Sequence, residues 1–213
     1  MNILEYANNW LIEDQLNAEL LNDIKCFIDK NLEFLDKDKE IYSTKGDNAE
    51  QYWIKRNGKK PFNYKSKEYE DIELRFKKEI YNRLKKASLL RTDDVELEQN
   101  GVWTVIGEEG TYHTIHTHND SRIDGISIVL YLNVPEPKHK SNSTYFVFHT
   151  NPTSDYIKEG CNSIIHINPE VGKVLIFPLH IPHGTYPQTK GIRQTFNIDF
   201  DFVFNSKSSI NYS

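Results

Sequence analysis

The sequence predicts a mainly β domain, a sandwich or barrel, carrying two helices near its N-terminus. Two observations lead there. From about Val95 the chain breaks into short segments rich in β-branched and aromatic residues, separated by loops and Gly or Pro signals. Ahead of that point, apolar residues recur every three or four positions, as they do along the buried face of a helix.

The first helix is expected in IEDQLNAELLNDIKCFIDKNLEFL, where Leu16, Leu20, Ile24, Phe27 and Ile28 form one stripe. The second is expected in SKEYEDIELRFKKEIYNRLKK, with Tyr69, Ile72, Phe76, Ile80 and Leu84 on its apolar face. Ser66 suits its N-cap. Glu68, Glu70 and Asp71 match the positive end of its dipole, and Lys85 and Lys86 the negative end. Between the helices, residues 36–65 are polar and rich in Lys, Asn and Gly, with Tyr52 and Trp53 inside. They read as a long loop with a structural role, or as a lid over a pocket. The strand series runs VELEQNGVWTVIG, YHTIHTH, GISIVLYLNV, TYFVFHT, SIIHINP, KVLIFP, HGTYP and RQTFNIDFDFVF. We expect a single domain over 1–213: a mostly helical part at 1–92, covering one sheet face, and a β core at 93–205.

Composition narrows the partners. A net charge of −5 and a pI near 5.9 offer no basic stripe, so no nucleic-acid partner is expected. No apolar run reaches the roughly 18 residues of a membrane span, so no membrane partner is expected either. MNILEYANNWLIEDQ has acidic residues inside its apolar stretch and no basic start, which makes it a poor signal peptide. Cys26 and Cys161 stand far apart in no metal or redox spacing, as free thiols of a reducing, cytoplasmic compartment would.

All eight histidines fall between His113 and His183. The stretch YHTIHTHNDS concentrates His113, His116, His118 and Asp120. In an extended strand, residues two apart share a face with Cα atoms roughly 6–7 Å apart. His116, His118 and Asp120 therefore share a face while the strand persists, and two of them can meet one metal. The H-x-H-x-D spelling is similar to that of zinc hydrolases of the metallo-β-lactamase type. Their motif continues with a further His where this chain has Ser121, and their fold alternates helices and strands.

About 60 residues on, GKVLIFPLHIPHGTYPQTKGIRQTFNIDFDF adds a turn, an apolar strand, His183, Arg193 ten residues later, and Thr195 on the same strand face as Arg193. With GVWTVIGEEGTYHTIHTHND and GISIVLYLNVP, this segment resembles the iron(II)- and 2-oxoglutarate-dependent oxygenases. Within them it is similar to an often bacterial or phage-encoded branch, in which a Trp strand leads to an H-x-H segment and then an SGVYYL-like strand. The match runs from roughly Trp103 to Phe202. The resemblance implies a double-stranded β-helix (a cupin-like jelly roll) and the use of Fe(II), 2-oxoglutarate and O2. It assigns His118, Asp120 and His183 to the metal and to catalysis. It assigns Arg193, Thr195 and Tyr131 to the far carboxylate of 2-oxoglutarate, which a planar guanidinium binds bidentately. His116 and Trp103 then face the substrate, with Tyr145 and Phe177 as further pocket candidates.

One alternative stays open inside the stretch. His116 and His118 can form the pair, with His118 in place of the carboxylate. Tyr131 follows His118 by thirteen residues and His116 by fifteen, which suits both. A carboxylate ligand balances the iron charge and favours His118 with Asp120. An intact Asp120 also argues against halogenation, so the expected reaction is hydroxylation of a C–H bond in an amino acid, a peptide or protein side chain, or a small metabolite. Two other functions compete: a cupin-like three-His dioxygenase or isomerase that does not use 2-oxoglutarate, and a non-catalytic β-sandwich binding module. Among the remaining histidines, His113 falls on the face opposite His116 if the strand is regular. His139 sits in a charged loop, and His149 and His166 sit on strands. His180 is a second choice for the distal ligand.

Overall fold

The computed structural model describes residues 1–6, 9–37, 49–56, 66–90, 95–118, 124–135, 142–148 and 164–204. Residues 2–6 and 9–15 are strand rather than helix. β1 (Asn2–Tyr6) pairs antiparallel with β2 (Asn9–Gln15), and β2 joins the main sheet beside β10 (Lys173–Pro178). The helix expected from Ile12 begins at α1 (Ala18–Asn31). Asn17 sets that start, its side-chain oxygen accepting from the Glu19 and Leu20 N–H groups at 2.9 and 3.4 Å. Ile12 and Leu16 fit the helical stripe by spacing, yet Leu11 and Ile12 are both fully buried, on opposite faces of one strand. Spacing alone does not separate those two cases.

The expected loop at 36–65 also contains strand. β3 (Asp36–Lys37) and β4 (Glu50–Lys55) extend the sheet, and β4 pairs with β5 (Val95–Gly107). The lid alternative for 38–48 and 57–65 lies outside the described residues. α2 (Lys67–Lys86) follows, capped by Ser66 Oγ, which accepts from the Tyr69 N–H at 3.1 Å.

The remaining strands are β6 (His113–His116), β7 (Gly125–Asn133), β8 (Thr144–Val147), β9 (Ile164–Ile167), β11 (His183–Thr185) and β12 (Arg193–Phe204). They complete two antiparallel sheets, an eight-stranded one in the order β1-β2-β10-β7-β12-β5-β4-β3 and a four-stranded one in the order β6-β11-β8-β9. This is the jelly roll expected above, with both helices packed on the outer face of the larger sheet. Gly172, at φ +80°, makes the turn into β10, a conformation that favours glycine.

Two apolar layers result, and strand alternation assigns each residue to one of them. Ile126, Ile128, Leu130, Val174, Ile176, Phe196, Ile198 and Phe200 pack against the stripes of α1 and α2. One residue out of phase, Tyr131, Leu175 and Phe177 point the other way and meet Phe146, Phe148 and Ile167 of the smaller sheet region. Phe76 of α2 is fully buried and meets Phe196 edge to face, ring centroids 5.7 Å apart. Phe76→Ala is expected to lower stability by about 3–5 kcal/mol through lost burial and a residual cavity, read as a drop in the urea midpoint at unchanged slope.

Candidate functional site

Alternation along β12 builds one wall of the site. Phe196, Ile198 and Phe200 face the helices, so Arg193, Thr195, Asn197 and Asp199 face the space between the sheets. There they line a cavity of about 400 Å³ with Trp103, His116, His118, Tyr131 and His183, a volume typical of a small-molecule site.

Three imidazoles converge at one side of it. His116 and His183 are directly opposite each other on β6 and β11, with ring centroids 4.4 Å apart. His118 follows just after β6, anchored by its backbone N–H to the Leu179 carbonyl at 3.0 Å. The potential ligand atoms of His116, His118 and His183 all lie within 4.8 Å of one another. Each ring has its Nδ1 beside an acceptor: the Thr114 carbonyl for His116 at 2.8 Å, the Ile181 carbonyl for His183 at 3.0 Å, and the Asp199 carboxylate for His118 at 2.9 Å. A carbonyl or carboxylate requires a donating Nδ1–H. That tautomer leaves the Nε2 lone pair of all three rings available to a metal. Burial holds His183 well below the usual histidine range. It lowers His116 too, with the neighbouring His118 adding to the effect. Neutral imidazoles are what ligation requires. Asp120, the carboxylate of the expected triad, lies outside the described residues.

Arg193, Thr195 and Tyr131, the residues expected at the far carboxylate of 2-oxoglutarate, line the same cavity. Arg193 opens β12 and is almost fully buried. Its Nη2 donates to Thr185 Oγ1 at 2.9 Å, and Thr185 also accepts from the His113 N–H at 2.8 Å. Thr195 stands opposite Tyr131 in the β12–β7 register, and the Tyr131 hydroxyl hydrogen-bonds Thr144 Oγ1. Full burial pushes the Tyr131 hydroxyl upward, so it stays protonated and can donate. One buried cation with hydroxyls around it suits a carboxylate.

Sequence reasoning missed several neighbours. Thr185 lies two residues beyond His183, and Asn197 and Asp199 lie two and four beyond Thr195. The two-residue period that linked Arg193 to Thr195 extends to these positions as well. Ser127 and Thr144 had no signal, because register places them. Trp53 of β4 packs on Trp103 at 5.2 Å and, with Gln51, forms a wall from the segment read as a loop. Trp103 in turn lies 5.5 Å from the His118 ring. Two weaker candidates fall outside the cavity lining: Phe177 packs behind His183 at 4.7 Å, and Tyr145 packs on Tyr186. His180 is exposed and bonds Asn9, and His166 packs on Tyr186. His139 and His149 lie outside the described residues.

His113 departs from the regular-strand expectation. The pairs His183 with His116 and Thr185 with His113 set three steps on β6 against two on β11, which is a bulge. The extra residue turns His113 onto the cavity face, its ring 5.9 Å from that of His116. Burial, then the positive potential of neighbouring groups, lowers His113 to about 3. A depressed histidine binds its proton more readily when unfolded. Its stabilising contribution is complete above about 6.5 and is lost as the pH falls toward about 3. The metal-free protein is therefore expected to weaken across that window, by up to about 1.4 kcal/mol per pH unit for each such histidine. Urea midpoints measured against pH check this, and His113→Phe should flatten the slope.

Residues 101–201 match a family model described as "Putative 2OG-Fe(II) oxygenase". No curated protein sequence matches the chain. Among solved structures, a Pseudomonas putida prolyl-4-hydroxylase is 15% identical, with 90% of this chain and 91% of that one covered and a TM-score of 0.57. A viral collagen prolyl hydroxylase from Paramecium Bursaria Chlorella virus-1, solved with 2-oxoglutarate, is 19% identical, with 90% and 96% covered and a TM-score of 0.53. A non-heme alpha-ketoglutarate-dependent carbocyclase from nogalamycin biosynthesis is 10% identical, with 92% and 81% covered and a TM-score of 0.61. At these identities the structural likeness carries the fold. Among the described residues, no helix is long and apolar enough to cross a membrane. By the family match over residues 101–201 and by its jelly-roll fold, the chain is similar to the iron(II)- and 2-oxoglutarate-dependent oxygenases, a family that works with Fe(II), 2-oxoglutarate and O2.

Proposed function

We propose that the protein hydroxylates a C–H bond of an amino acid, a peptide or protein side chain, or a small metabolite. In this reading His116, His118 and His183 hold the iron, and Arg193, Thr195 and Tyr131 bind 2-oxoglutarate. The observation that carries it is the shared cavity: three inward lone pairs and a buried arginine with hydroxyl neighbours line one space. The residues fit the metal, since imidazole nitrogens with fixed tautomers are good ligands for ferrous iron. His118 and His183 belong to both ligand sets read from the sequence. The convergence of His116 with them favours it over Asp120 as the third. On this reading the ligand set of the three-His alternative is combined with the carboxylate pocket of an oxygenase. Two of the three similar structures named above are described as prolyl hydroxylases, which supports hydroxylation as the outcome.

When bound, iron with 2-oxoglutarate and dioxygen supplies the oxidant that replaces C–H by C–OH, releasing succinate and carbon dioxide. The chain's own residues do the rest. Arg193 fixes the far end of the co-substrate by charge and planarity. Tyr131 and Thr195 add hydroxyl contacts. Trp53, Trp103 and Val129 line the cavity with apolar surface that limits water and gives a substrate a flat wall. The low pI supports an amino acid, peptide or small molecule over a nucleic acid as substrate.

The test is direct. Anaerobic addition of ferrous iron and 2-oxoglutarate should produce a weak visible charge-transfer band. Supplying oxygen and pools of amino acids and peptides should then release succinate with a hydroxylated product. A protein that gives neither band nor succinate is not this enzyme.

A further inference from the structure

The ligand set proposed above has no carboxylate, and a carboxylate stands one bond further out. Asp199 Oδ1 and Oδ2 both lie 2.9 Å from His118 Nδ1, and Ser127 Oγ lies 3.1 Å from the same nitrogen. The contact spans 81 residues of sequence and is fixed by the sheet. Ser127 and Asp199 are paired residues of β7 and β12, in the middle of the main sheet. Both His118 and Asp199 are largely buried, with side chains 11% and 16% exposed, so solvent screens their interaction only weakly. Among the described residues, neither His116 nor His183 has such a partner. Their Nδ1 atoms face backbone carbonyls, which orient a ring but carry no charge. The three rings are therefore not equivalent.

We propose that Asp199 is a positioning residue that gives the metal site its negative charge through His118. It holds the ring with Nε2 inward and raises that nitrogen's basicity, as an outer carboxylate does for a ligating histidine. The charge that an aspartate ligand would place on the iron is displaced outward by one imidazole and comes from β12. This rests on the metal-site reading with His116 as the third ligand, since Asp120 in that place would give the site a carboxylate of its own.

Asp199→Asn is the informative change. Asparagine keeps the shape and can still accept from Nδ1–H through its amide oxygen, so a purely structural role would survive it. The probe is Co(II), titrated into metal-free protein and followed by its visible absorption. We expect affinity to fall about 10- to 100-fold, with the urea midpoint of the metal-free protein unchanged. The potential of the iron-loaded protein should rise, because removing negative charge disfavours ferric iron. His118→Asp supplies a second arm, in which the same D199N change is read without the imidazole. It places a carboxylate at the ligand position itself, so adding D199N to it should cost no further cobalt affinity. Wild-type-like cobalt affinity in D199N overturns the proposal, and so does an equal loss from D199N in the His118→Asp background. If the wild-type protein itself takes up no cobalt or iron, the metal-site reading fails instead.

Discussion

His116→Ala is expected to abolish stable iron binding, lowering affinity by more than about 100-fold, since losing a ligand should exceed the 10- to 100-fold cost of losing an outer partner. Turnover should fall with it. Asp120→Ala should keep iron and retain most activity. The reason lies in the pairing of β6 with β11. His116 and His183 face each other across the smaller sheet, and His118 is brought alongside by its backbone contact to Leu179. All three rings have their Nδ1 engaged, so removing one takes away a lone pair that no described neighbour replaces. Anaerobic titration with Fe(II), followed by dialysis and metal analysis, measures the effect. The opposite pattern, iron kept without His116 and lost without Asp120, would return the site to His118, Asp120 and His183.

Arg193→Ala should leave iron in place and cripple co-substrate binding. The guanidinium is almost fully buried at the start of β12, where its charge is poorly screened. Truncating one partner of a buried charge pair costs about 2–5 kcal/mol, or roughly 30- to several-thousand-fold in the dissociation constant. Thr185, which accepts from Nη2, would lose that bond too. The measurement is the 2-oxoglutarate dependence of the charge-transfer band in iron-loaded protein. Loss of iron instead would show that Arg193 supports the metal site, and an unchanged affinity would place the co-substrate elsewhere. Arg193→Lys should recover only part of the loss, because an ammonium cannot offer the two parallel donors of a guanidinium.

Much of this was legible because it is local. The stripes of α1 and α2 and the Ser66 cap depend on residues three or four apart, and apart from Leu16, which precedes α1, the structure places them as read. His183, Arg193 and Thr195 lie close together in the chain, and the two-residue period of a strand put Arg193 and Thr195 on one face. The strand at 9–15 was hidden because a strand runs straight into a helix there, so Ile12 continues the helical stripe by accident. β4 was hidden because its polar flanks look like loop, while its own pairing with β5 supplies the hydrogen bonds that make it strand.

The site divides along the same line. The sequence by itself determined the jelly-roll class, the cluster of histidines, and the arginine at a set distance from the distal histidine. Only the tertiary structure decided which groups meet. Register across β6 and β11 brought His116 to His183. A one-residue bulge turned His113 inward. Pairing of β7 with β12 carried Ser127 and Asp199 to His118, 81 residues from Asp199 in the chain. Such contacts depend on cross-strand register, and a shift of one residue would turn each of these side chains to the opposite face. That is why H-x-H-x-D, read along a single strand, could name the candidate ligands but not choose among them.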